Sequence, residues 1–175
     1  LTLVDDPTDP AAYGAATHDA EGLACRRNLL IGDGVLRGFL YDTYTGRRAG
    51  LASTGSAVRG GFRTAPGVGC RALALVPGDV TQDDLLAEVG EGLLVQSVTG
   101  MHSGVNPVSG DVSVGAEGLM IRGGALAEPV REVTIASTLQ RMLGQVRTVG
   151  ADLEWLPGVA AGVTLAVDGI SLSGS

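Results

Sequence analysis

Lysine is absent from this chain of 175 residues: all 12 basic residues are arginine, set against 19 carboxylates for a net charge of −7. A nucleic-acid-binding surface needs clustered positive charge, so that class is excluded. The pairs Arg26-Arg27 and Arg47-Arg48 are too short to form a basic patch. Aromatic residues make up only 3% of the chain, and its 45% apolar content must therefore build a core from Leu, Val, Ile and Ala. No apolar run approaches the roughly 18 residues of a membrane span, and no signal peptide opens the sequence. A cytoplasmic protein without a membrane partner is expected. The chain starts at Leu1, directly in a strand-like run, so a fragment whose N-terminal part is missing is expected.

Metal-binding and nucleophilic chemistry are equally thin. There are two cysteines and two histidines. Cys25 and Cys70 each sit in strand-like apolar surroundings and read as reduced, buried small hydrophobes rather than a disulfide framework. His18 and His102 lie far apart, and no His-Glu-x-x-His helix exists, so the spacing supports no zinc site and no cofactor is expected in this segment. No G-x-S-x-G elbow is present. No phosphate-cradling glycine loop opens a helix.

Glycine is what the chain has in excess. Its 28 glycines are more than twice the usual share of about 7% and are scattered, which points to many tight turns between short strands. Leu1–Val4 reads as a first strand. Asp33-Gly34 sets a hairpin between Leu23–Ile31 and Val35–Tyr41. Asp42 caps a short helix over Thr43–Ala49, with Gly50 as its stop. Leu51–Gly69 shows no periodicity and reads as a loop, with mobility expected over Ser53–Gly67. Cys70–Val76 is a strand. Thr81 and Asp84 open a short helix carrying Leu85, Leu86 and Val89, and Leu93–Val98 is the next strand. Further on, Gly123-Gly124 turns a second hairpin, Pro129 interrupts it, and Val130–Ile135 continues extended. Ser137 caps an amphipathic helix whose Leu139, Met142, Leu143 and Val146 pack on a sheet. Val149–Trp155, Val163–Val167 and Ile170–Leu172 finish as strands, the last two joined by Asp168-Gly169. The fold class is α+β and predominantly antiparallel β. It has about nine short strands in a barrel- or sandwich-like arrangement, with two or three short helices, in a single domain over residues 1–175.

One stretch gathers hydrogen-bonding groups more densely than any other: Met101–Gly118, MHSGVNPVSGDVSVGAEG, a polar insertion between two apolar runs. Within it His102, Asn106 and Asp111 are the candidate peptide- or partner-facing residues. Asn106 and Asp111 serve equally well as turn-capping groups. A Ser-His-Asp arrangement is formally available from Ser103 or Ser109 with His102 and Asp111. No catalytic residue is assigned.

Taken in order, several segments resemble the C-terminal region of the TldD/PmbA metalloprotease family. They are Asp19-Ala20-Glu21-Gly22 followed by the paired arginines, Gly32–Leu36, Tyr44–Gly50, Ser53-Thr54-Gly55 and Val76–Asp79. Gly104–Asp111, Glu132–Ala136 and Thr148–Leu153 complete the series. The resemblance implies a heterodimeric zinc peptidase whose metal sits on a His-Glu-x-x-x-His helix upstream of the region present here. The catalytic subunit adds a cysteine from a loop before the final strands; here the corresponding run, Leu156–Gly162, is short and has none. The Gly-Val-Asn-Pro-Val-Ser-Gly-Asp segment is similar to that of the PmbA (TldE) subunit. The resemblance therefore implies a non-metal-binding partner of a TldD-like catalytic subunit, which carries the zinc, acting on unfolded or leader peptides. The other reading is a stand-alone module that binds an extended peptide by adding it as a strand to a sheet edge.

Overall fold

The structure is a computed structural model and describes residues 1–174. Its first elements are β1 (Leu3–Asp5), β2 (Asn28–Gly32), β3 (Val35–Leu36), α1 (Thr43–Ala49), β4 (Ala57–Val58), β5 (Gly67–Val68) and β6 (Leu73–Leu75). Next come α2 (Gln82–Val89), β7 (Gly92–Thr99), α3 (Met101–Gly104), β8 (Asp111–Arg122) and β9 (Ala125–Thr138). The chain closes with α4 (Leu139–Gly144), β10 (Val146–Val149), β11 (Glu154–Trp155), β12 (Ala161–Gly162), β13 (Leu165–Val167) and β14 (Ser171–Ser173). Every ladder is antiparallel. The α+β, mainly antiparallel reading therefore holds. Among the described residues the strands number fourteen rather than nine, because several pair over only two or three residues, and there are four helices. The sheets have two or four strands in open order, and none closes into a barrel among the described residues.

The chain folds into two compact units. The first comprises Leu1–Pro77 and Leu153–Val163, with a sheet in the order β3-β2-β1-β6 and two small ladders, β4-β5 and β11-β12. Asp33 and Gly34 both take positive φ, 53° and 77°, the geometry of the tight hairpin turn that Asp-Gly favours. At α1 the Asp42 carboxylate accepts the Thr45 N–H at 2.7 Å, while the Thr45 hydroxyl accepts the Asp42 N–H at 3.1 Å. This reciprocal box satisfies two N–H groups that the first turn would otherwise leave open, and Gly50 closes the helix in the left-handed region. The core here is small: Val4, Ala12, Cys25, Ala57, Ala72 and Ala74 are buried, and Asp5, Asp19 and Ser56 are buried with them. The segment read as a featureless loop is half structured. Ser56 and Ala57 are packed, and Ala57 pairs with Val68. Hydrogen bonds accepted by buried carboxylates replace the missing apolar face: Asp19 accepts the Ala57 N–H at 3.1 Å.

The second unit comprises Gly78–Asp152 and Thr164–Ser175. Its sheet runs β14-β9-β8-β7, with β10 and β13 paired beside it. Thr81 caps α2 through the Asp84 N–H at 3.2 Å, and Leu85 and Leu86 face inward as their spacing predicts. β9 runs unbroken through Pro129. A missing N–H is tolerated there because β14 reaches only Thr134–Ala136, leaving that end of β9 at the rim of the sheet. Two register shifts bend the β8–β9 ladder, and Glu132 takes φ 57° on the same strand. Three expectations need correction. The helix predicted from Leu139 onward is only six residues long and is capped by Thr138 rather than Ser137, with Leu139 and Leu143 exposed. Val146 already belongs to β10. Asp168-Gly169 does not join a hairpin, since β13 pairs with β10 and β14 with β9.

A polar groove at the end of strand β7

β7 ends at Thr99, and Gly100 at φ 78° turns the chain into the single turn of α3. A side chain at Gly100 would be strained in that conformation. Gly104, at the far end of the turn, lies against β8: a β-carbon there would sit 2.1 Å from the carbonyl oxygen of Ser113. The next residues close a second tight turn. The Asn106 N–H donates to the Asp111 carbonyl at 2.9 Å, and the Gly110 N–H donates to the Asn106 carbonyl at 2.8 Å. The Asn106 side-chain oxygen accepts the N–H groups of Val108 at 2.9 Å and Ser109 at 3.2 Å. That fixes the amide orientation and leaves its NH₂ group free of the turn. The Ser109 hydroxyl donates to Asp111 Oδ2 at 2.6 Å.

These two turns and the start of β8 frame an open groove of about 500 Å³. Thr99, Ser103, Asn106, Asp111 and Ser113 supply its polar atoms, and Val114 and three glycines complete the lining. The sheet continues this polar character. Directly paired residues point to one face, so Thr99, Gly115, Thr134 and Ser173 form one row, and Ser113, Ala136 and Ser171 another. The opposite face carries Val114, Ala116 and Val133, all buried. Half of the stretch read as a polar insertion is therefore β8, alternating small polar residues with Val112, Val114 and Ala116.

Of the candidate residues, Asn106 and Asp111 line the groove, and His102, exposed on α3, does not. The capping alternative is realised in Asn106, whose oxygen serves its own turn. Thr99 lies outside the candidate stretch; the signal for it is the Ser97, Thr99 alternation at the end of β7. No Ser-His-Asp relay forms: Ser109 bonds the Asp111 carboxylate directly, and the His102 ring makes no hydrogen bond among the described residues.

The donor set does not fit zinc. Three or four nitrogen, sulfur or oxygen ligands are required, and no three His, Cys, Asp or Glu side chains converge on a metal-sized site among the described residues. Cys25 and Cys70 are free, and burial pushes both thiols up, away from the thiolate a metal needs. His18 Nδ1 pairs with the Thr17 hydroxyl at 3.0 Å. Charge is divided unevenly between the units. The first carries eight arginines and eight carboxylates, while the second carries four and eleven. The unit bearing the groove thus holds the whole net negative charge.

The α+β fold is shared with solved structures. The structure of TldE from Thermococcus kodakarensis superposes with a TM-score of 0.90 at 27% identity, covering 99% of this chain and 39% of that one. Metalloprotease PmbA of Escherichia coli O157:H7 is 33% identical over 165 residues, 94% of this chain and 34% of the relative. The PmbA homologue of Haemophilus influenzae is 35% identical over 159 residues, 90% of this chain and 32% of the relative. The family profile of the PmbA/TldA metallopeptidase C-terminal domain matches residues 1–174, and the chain belongs to that family. It spans about a third of the length of these curated relatives. No helix among the described residues is long and apolar enough to cross a membrane.

Proposed function

We propose that this chain is the C-terminal part of a PmbA/TldE-type subunit, which binds no metal and shapes the substrate chamber of a heterodimeric zinc peptidase. Its partner is a TldD-like subunit that carries the zinc and cleaves unfolded or leader peptides. The observation that carries this reading is family membership together with the Gly104–Asp111 segment, which is similar to the PmbA (TldE) type, and a Leu156–Gly162 run that has no cysteine. The groove beside β7 supports a peptide-facing role for Asn106 and Asp111. Its small hydroxyl groups, carboxylate and amide NH₂ are the partners that a main chain and its side chains use in place of water. The full-length protein, purified alone, is expected to hold no stoichiometric zinc and to cleave no unfolded peptide. Adding the TldD-type partner is expected to produce cleavage. Stoichiometric zinc together with cleavage by the protein alone overturns the proposal.

A second reading rests on the position of β7, which forms one edge of its sheet with no strand beyond it among the described residues. An extended peptide can add to such an edge through main-chain hydrogen bonds, making this a stand-alone binding module. Titration calorimetry of the protein without a partner against an unfolded peptide separates the two readings. Binding favours the module, and its absence counts against it.

A further inference from the structure

We infer that the groove prefers a polypeptide segment carrying a cationic side chain, an arginine or lysine, and that Asp111 is the residue that reads the charge. This deepens the peptide-facing role proposed above and rests on it. Asp111 is the one ionisable residue among those lining the groove. It is exposed. Its Oδ2 is held by the Ser109 hydroxyl at 2.6 Å, whereas Oδ1 accepts no hydrogen bond and no cation lies within ion-pair distance, among the described residues.

The carboxylate is set before any ligand arrives. Besides its bond to Asp111, Ser109 is anchored from behind: its carbonyl accepts Gln140 Nε2 at 3.3 Å, and the adjacent Gly110 carbonyl accepts the Leu139 N–H at 2.7 Å. One oxygen is thereby committed to the turn and the other is presented outward, so an incoming guanidinium or ammonium meets an acceptor that need not reorganise. Among the described residues no arginine of the chain lies within ion-pair distance of Asp111. Arg122 is held by Glu91 and Glu128, and Arg147 by Glu88 and Asp168. With eleven carboxylates against four arginines in this unit, the surrounding field also draws in positive charge. The neighbouring Asn106 NH₂ and the Thr99, Ser103 and Ser113 hydroxyls provide neutral partners, which suit a main chain rather than a second charge.

An exposed charge pair is a weak one, so the expected preference is about threefold. It should shrink as salt rises, since open pairs are screened. The test uses full-length protein and two dye-labelled unstructured peptides that differ only in arginine against citrulline, which keeps the shape and removes the charge. Binding is read by fluorescence anisotropy at low salt. The arginine peptide is expected to bind about threefold tighter, the difference to vanish in Asp111→Asn and to persist in Asp111→Glu. Equal affinities in the wild-type protein overturn the inference without needing any variant. A preference that survives Asp111→Asn overturns it as well. Failure of both peptides to bind, while the protein still supports cleavage with its TldD-type partner, sinks this inference and leaves the peptidase role standing. Loss of binding and cleavage together sinks both.

Discussion

The carboxylate of Asp5, fully buried at the end of β1, accepts the backbone N–H of Ala72 at 2.8 Å. The same oxygen accepts the Arg71 N–H at 3.0 Å. One side chain thus satisfies two donors where the chain enters β6, in a unit whose core is largely alanine. Replacing Asp5 with Ala leaves both N–H groups buried and unpaired, each costing roughly 1–3 kcal/mol. Asp5→Asn keeps an oxygen in place and removes a buried charge. Urea unfolding of the full-length protein should therefore show a large loss for Ala and a clearly smaller one for Asn.

Gly104 offers a steric test. A methyl group there meets the Ser113 carbonyl oxygen at 2.1 Å, and backbone cannot move aside as a flexible side chain can. Gly104→Ala should lower stability by about 1–3 kcal/mol and weaken peptide binding in the groove. Gly144, at the end of α4, has nothing within 4 Å of the same added atom. Gly144→Ala should be neutral or raise stability by about 0.4–1 kcal/mol. Parallel melting curves check both.

Acid should unfold the second unit partly through Asp152. The Thr164 hydroxyl donates to its Oδ2 at 2.6 Å and the Thr164 N–H to its Oδ1 at 3.0 Å. These bonds, the hydroxyl foremost, hold the carboxyl below its ordinary value of 3.8. A lowered folded pKa means the stabilisation is complete above the unfolded pKa and is lost as pH falls through the folded one. Melting temperature should therefore drop below about pH 4, and Thr164→Val should flatten that drop. In the first unit Asp42, lowered by the Thr45 hydroxyl first and the Thr45 N–H next, gives a dependence of the same sign.

The thiols should be sluggish. Burial pushes up both Cys25 and Cys70, and a protonated sulfur is a poor nucleophile. Alkylation followed by mass spectrometry at neutral pH is expected to modify the buried Cys25 more slowly than the half-buried Cys70, with both reacting fully in denaturant.

Local chemistry is the most legible part of the sequence. Asp33-Gly34, Asp42 with Gly50, and Thr81 with Asp84 each state a turn or cap within a few residues, and each forms where those residues stand. What escapes depends on distant partners. Asp5 and Asp19 look like surface residues until the strands that bring Ala72 and Ala57 to them are in place. The first half of β8 is hidden because Asp111, Ser113, Gly115 and Glu117 break up its apolar positions, although Val112, Val114 and Ala116 mark its buried side at every second position. At the groove, composition singles out the stretch that supplies most of its lining, and Asn106 and Asp111 fall inside. It cannot fix which way a single helical turn faces, and so it groups His102 with them.

The rows of Thr99, Gly115, Thr134 and Ser173 and of Ser113, Ala136 and Ser171 give this end of the sheet a strip with no bulky group in it. Such a floor has nothing with which to measure the bulk or branching of whatever lies across it. Under the role proposed here, the protein would be indifferent to most of a guest's composition, and a single point of charge would carry what discrimination remains.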